Sequence, residues 1–130
     1  AAANMKMTGG GSIINMASTY GVVAPDFSIY EGTSMTMPVA YSAIKSGLIG
    51  LTRYFSIYYA KDNIRANSIS PGGILDRQPD EFVNRYSKKT PLGRMGKASD
   101  IVGGVVFLAS ESSAYVTGQN LLIDGGWTAW

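Results

Sequence analysis

The sequence predicts an α/β fold built on a parallel sheet. Three observations point to it: apolar residues recur alternately with strand-like and helix-like periods, glycine and proline clusters separate those stretches, and most connections are short. With 130 residues, 45% of them hydrophobic, the chain suits one domain with one core and is too short for a typical two-domain enzyme.

The elements follow in order. Ala1–Lys6 reads as the tail of a helix entered midway, since it has no initiating Met and no signal-peptide core. Gly9-Gly10-Gly11 ends it, and Ser12–Met16 is a short β-branched run expected of a buried strand. From Ala17 through Pro25, Asp26, Gly32 and Pro38 no period is visible. A loop of that length is expected to be functional or mobile, with a disordered surface insertion as the alternative. Val39 to about Lys61 is helical, with Ile44, Leu48, Leu51, Phe55 and Tyr58 at three- and four-residue intervals and small residues at Ala40, Ala43, Gly47 and Gly50. Ile64–Ile69 alternates apolar and polar residues as a strand, and Ser70-Pro71-Gly72-Gly73 breaks it. Asp80–Tyr86 reads as a short helix and Pro91–Gly96 as a loop. Ser99 stands where an N-cap would precede an apolar helix over Ile101–Ala109. Asn120–Asp124 is the final strand, closed by Gly125-Gly126.

Composition narrows the chemistry. There is no Cys and no His, which excludes thiol nucleophiles, disulfides, imidazole bases and most zinc sites, so no metal is expected. Eleven Lys and Arg against nine Asp and Glu are spread without a basic block, so no nucleic-acid partner is expected. Ile101–Ala109, the longest apolar stretch, is far shorter than the roughly 20 residues of a membrane span. The absence of an export signal and of Cys fits a cytoplasmic location.

Proton chemistry therefore falls to Tyr, Lys, Ser, Asp or Glu. Tyr41 and Lys45 lie four residues apart at the start of the long helix, hence on one face. That spacing carries little by itself; the setting, just after a long loop that follows a strand ending near Ser18, carries more. A free phenol titrates near about 10, too high for a base at neutral pH. A cation near 4 Å at an effective dielectric of about 20 is worth roughly 4 kcal/mol, enough for Lys45 to make Tyr41 a usable acid and base. Ser18 has no His to activate it as a nucleophile, so polarising a substrate oxygen is its expected role.

Five ordered segments carry a resemblance. Ser12–Ser18, Tyr41-Ser42-Ala43-Ile44-Lys45, Ile64–Gly73, Pro91-Leu92-Gly93-Arg94, and Thr117-Gly118-Gln119 through Asp124-Gly125-Gly126 resemble successive motifs of the short-chain dehydrogenase/reductase family. The match covers nearly the whole chain and implies the C-terminal half of a Rossmann-type doubly wound parallel sheet, with residues 1–130 as a single partial domain. It implies an oxidoreductase interconverting a secondary alcohol and a ketone with NAD or NADP. Carried over, Ser18 orients the carbonyl, Tyr41 passes the proton, and Lys45 holds the nicotinamide ribose, while backbone groups of Pro71, Gly72 and Ile74 line the nicotinamide. The helix over 39–61 resembles the family's dimer helix and implies a homo-oligomer.

The sequence also departs from the family. Thr8-Gly9-Gly10-Gly11 imitates the family's glycine-rich cofactor turn, but the required later glycine is Ile13 and a strand follows in place of a helix. The N-terminal, adenosine-binding half is thus expected to be missing, along with the residue that separates NAD from NADP, and this chain alone is not expected to bind cofactor. Asp76 stands where the family has a cofactor-contacting Thr. The segment between Ser18 and Tyr41 is longer than usual and carries Tyr30, Glu31, Met35 and Met37, suggesting a cover for a small carbonyl or alcohol substrate of polar, sugar-like character. Two alternatives stay open: a non-catalytic packing or dimerisation fragment, and a sugar-nucleotide epimerase or dehydratase of the family's extended branch.

Overall fold

A computed structural model describes residues 1–130. Its elements run α1 (Ala2–Met7), β1 (Gly11–Met16), α2 (Val39–Tyr58), β2 (Ile64–Pro71), α3 (Asp80–Lys89), α4 (Ala98–Ala109) and β3 (Asn120–Ile123). The strands form one parallel sheet, as the alternating periods predict, and their order is β1-β2-β3. Gly11 lies opposite Ile64 and Met16 opposite Ile69; Ser68 lies opposite Asn120 and Pro71 opposite Ile123. Parallel order brings all three C-terminal strand ends to one edge of the sheet, which is where open α/β sheets bind ligands.

Both faces of the sheet are covered. Asn15 on β1 donates to Thr52 Oγ1 on α2 at 2.9 Å, whereas Ser12, of opposite parity, donates to the Leu108 carbonyl on α4 at 2.7 Å. Although β2 alternates apolar and polar residues, its polar ones are not solvated. Lying centrally between β1 and β3, it is buried on both faces, and Asn67, Ser68 and Ser70 are fully inside. Ser68 and Ser70 both donate to Asn120 Oδ1, at 2.9 and 2.8 Å. Asn67 donates to the Val116 carbonyl at 2.9 Å and accepts the Gln119 N–H at 3.0 Å. Leaving any one of these groups unpaired would cost about 1–3 kcal/mol.

The α2 helix forms as expected, and the face it turns inward is not its apolar stripe. Ile49, Thr52 and Ser56 are buried, while Ile44, Leu51 and Tyr58 of the apolar stripe remain exposed. Small side chains are needed on the inner face because Thr52 receives Asn15 and Ser56 packs beneath Gly118. At its C-terminal end the helix closes at Tyr58 and a 3₁₀ turn over Ala60–Asp62 follows, so it is shorter than predicted. The helix α4 begins at Ala98, which moves the cap from Ser99 to Lys97, whose N–H donates to the Asp100 carboxylate at 2.7 Å.

The long loop is packed, contrary to a disordered insertion. It holds two 3₁₀ turns, Thr19–Gly21 and Phe27–Tyr30. Ile29 and Tyr30 join Phe82, Tyr86, Met95 and Trp127 in a buried cluster. Asp26 accepts the Ser28 N–H at 3.0 Å and pairs with Lys89, while Arg85 donates to the Glu31 carbonyl. Through these contacts α3 fastens the loop over the ends of the strands.

Candidate active site

The C-terminal ends of β1 and β2 open into one cavity of about 370 Å³. Ser18, Tyr41, Lys45, Pro71, Gly72 and Ile74 all line it. Ser18 lies two residues beyond β1 in extended backbone, and its Oγ accepts the Tyr20 N–H at 3.2 Å, which fixes the side chain as the cap of a 3₁₀ turn. Tyr41 sits in the first turn of α2. One turn on, Lys45 Nζ lies 5.5 Å from the Tyr41 ring centroid and donates to the Met16 carbonyl at 2.9 Å.

Gly21 brings these two parts together. A Cβ there would lie 2.8 Å from the Lys45 backbone, so only glycine lets the Ser18 loop press against α2. Ser46 seals the contact by donating to the Gly21 carbonyl at 3.1 Å.

The second wall is the turn after β2. The Gly72 N–H donates to the Ile123 carbonyl at 3.0 Å and the Gly73 N–H to the Tyr86 hydroxyl at 2.5 Å. A Cβ on Gly73 would lie 2.7 Å from the Tyr86 ring, which stacks on Trp127 with centroids 4.1 Å apart and planes 9° apart. Burial pushes the Tyr86 phenol up to about 12, against the opposing pull of the Gly73 N–H. Burial likewise raises Tyr20 and Tyr30, whose hydroxyl oxygens are 3.2 Å apart.

Tyr30, Met35 and Met37 of the long loop line the cavity, whereas Glu31 is exposed and contributes only its carbonyl, to Arg85. Asp76 is exposed and outside the lining; its N–H is held by Gln78 Oε1 at 2.6 Å. Sequence reasoning missed Tyr20, Gln78, Phe82, Tyr86 and Met95, all of which line the cavity. Phe82 and Tyr86 carried a usable signal, being four residues apart on one face of α3.

The lining suits the nicotinamide end of a dinucleotide: a tethered ammonium with spare donors, the hydroxyls of Ser18 and Tyr41, and a glycine turn. It does not suit the pyrophosphate end, because Lys45 is its only charged residue. The Thr8–Gly11 turn lies at the N-terminal end of β1, about 20 Å from the cavity at roughly 3.3 Å per strand residue. It therefore takes no part in this site.

Comparisons with known proteins bear on the family and the fold. Residues 1–128 match a family described as enoyl-(acyl carrier protein) reductase. The post-translational flagellin modification protein A of Campylobacter coli is 44% identical over 117 residues, covering 90% of this chain and 46% of that protein. A 7alpha-hydroxysteroid dehydrogenase of Bacteroides fragilis is 37% identical over 129 residues, covering 95% of this chain and 46% of that protein. The crystal structure of a short chain dehydrogenase from Leptospira borgpetersenii with bound NAD+ superposes with a TM-score of 0.90 at 50% identity, covering 98% of this chain and 48% of that one. The chain thus spans about half the length of the relatives it matches.

Proposed function

Because the chain belongs to the short-chain dehydrogenase/reductase family, we propose that it carries the catalytic half of an oxidoreductase that interconverts a secondary alcohol and a ketone with NAD or NADP. What carries this is the convergence of Ser18, Tyr41 and Lys45 on one cavity at the strand ends. The nicotinamide, when bound, supplies or accepts the hydride at the substrate carbon.

The chain's own groups do the rest. In the reducing direction Ser18 Oγ donates a hydrogen bond to the carbonyl oxygen and Tyr41 delivers its proton there, so that the C=O π bond gives way to an O–H bond. In the oxidising direction Tyr41 takes that proton back. Lys45, anchored on the Met16 carbonyl, keeps positive charge beside Tyr41 and has donors left for the ribose hydroxyls. Backbone groups of Pro71, Gly72 and Ile74 line the nicotinamide. The exposed apolar side chains of α2, among them Ile44, Leu51 and Tyr54, suit a second copy of the chain, since apolar burial is worth about 25 cal/mol per Å².

The test is Tyr41→Phe in the full-length protein, which keeps the ring and removes the proton. Turnover is expected to fall by about 10²-fold or more, while fluorescence titration finds cofactor binding retained. Near-normal turnover would overturn the assignment.

A further inference from the structure

Resting on the reading that Tyr41 serves the reacting oxygen, we propose that the paired hydroxyls of Tyr20 and Tyr30 bind a second oxygen of the substrate, which is an uncharged cyclic polyol or hydroxyketone. The two phenols come from separate turns of the long loop, are each only 7% exposed, and have their oxygens 3.2 Å apart. Two hydroxyls hold two protons, and the bond between them uses one. The other proton has no acceptor in the protein, although both residues line the cavity. The pair thus keeps one spare donor among the lining groups, which a ligand oxygen in the cavity can accept.

The pair is well placed to act on a substrate held at Tyr41. Ser18 Oγ caps the turn that bears Tyr20, so the serine and the first phenol form one unit. Tyr20, Tyr30 and Tyr41 all line the one cavity, so a substrate held at Tyr41 shares it with the pair. Burial keeps both phenols protonated, hence neutral donors that prefer an uncharged oxygen.

The remaining walls set the character of the ligand. Lys45 is the only charged lining residue and is already tied to Met16, while nearby Arg85 and Lys89 are held by Glu31 and Asp26 outside the lining. A carboxylate or phosphate would meet a single lining cation, Lys45, which the proposed function commits to the cofactor ribose, and no second one. Met35, Met37, Phe82 and Met95 offer soft apolar surfaces that fit the C–H faces of a ring. Oxygen at the rim and C–H on the faces describes a cyclic polyol or hydroxyketone.

The experiment compares kcat/KM of the full-length protein, with NAD and with NADP, for cyclohexanol, the positional isomers of cyclohexanediol, myo-inositol and the carboxylate-bearing quinic acid. At least one neutral polyol is expected to exceed cyclohexanol by about tenfold or more, and quinic acid to fall below that polyol. In Tyr20→Phe/Tyr30→Phe the polyol advantage is expected to shrink to under about threefold. Each single variant, which disturbs folding less, is expected to lose part of the advantage. An advantage that survives in all the variants, equal rates for cyclohexanol and the polyols, or a preference for quinic acid would overturn the proposal alone. No turnover of any alcohol would overturn the oxidoreductase reading along with it.

Discussion

Tyr86 concentrates several constraints in one side chain. Its ring stacks on Trp127 and fills the space that a Cβ on Gly73 would need, and its hydroxyl accepts the Gly73 N–H. The residue therefore ties α3 and the C-terminal segment to the turn that walls the cavity. In Tyr86→Phe the stacking remains and only the acceptor is lost, leaving the Gly73 amide unpaired at a cost of about 1–3 kcal/mol. The expected outcome is a lowered urea midpoint together with, on the proposed function, weaker nicotinamide binding in a version extended to the relatives' length. An unchanged midpoint would mean that water replaces the phenol without loss. Lys45 is similarly committed before any ligand arrives, through Met16, so its ammonium enters the site already oriented.

At the scale of elements, the start of α4 shows how charge replaces a missing side-chain cap. The Arg94 guanidinium contacts Asp100 at 2.6 and 3.1 Å and the Lys97 N–H adds a third bond, which together hold the Asp100 carboxyl well below its ordinary 3.8, at about 2. Because the folded value is depressed, the stabilisation is fully present above the unfolded value and is lost as pH falls through the folded one. Urea midpoints measured from about pH 5 to about pH 2 should therefore decline less steeply in Asp100→Asn than in the wild type. Some acid dependence should persist through Asp124. Burial disfavours that carboxylate, but hydrogen bonds from Thr128 and the Gly126 N–H prevail and lower its value. An identical slope in the variant would show that the exposed pair is too screened to matter.

The same scale explains what could be read from the sequence. Strand and helix periods gave the parallel sheet, and Tyr41 with Lys45 stood out because one helix carries both. The inward face of α2 was hidden, since Thr52 and Ser56 are small and polar and their burial depends on Asn15 and Gly118, which are distant in sequence. Tyr20 and Tyr86 escaped for a related reason: Tyr20 is placed by its bond to Tyr30 in another turn, and Tyr86 by Gly73 and Trp127 outside its own helix. Motifs within one element were legible, whereas partnerships between elements were not.

At the scale of the whole molecule, two surfaces of different chemistry remain open. The strand β1 pairs only with β2, so its other edge presents unpaired N–H and C=O groups, and α2 presents Ile44, Leu51, Tyr54 and Ile57 to solvent. Relatives about twice as long have additional chain with which to cover such an edge. The 130-residue chain by itself is therefore expected to associate in two distinguishable ways. In sedimentation velocity its mass should rise with concentration, and Ile44→Glu/Leu51→Glu should abolish the part mediated by the helix. Association through the strand edge should survive that double variant and show as slow growth of β-rich aggregates. A version extended to the length of those relatives should reverse the pattern, keeping helix-mediated association while losing the edge-mediated kind. A 130-residue chain that stays monomeric at every concentration would mean that twist and flanking loops already protect the β1 edge, and that the apolar face of α2 is too small to hold a second copy.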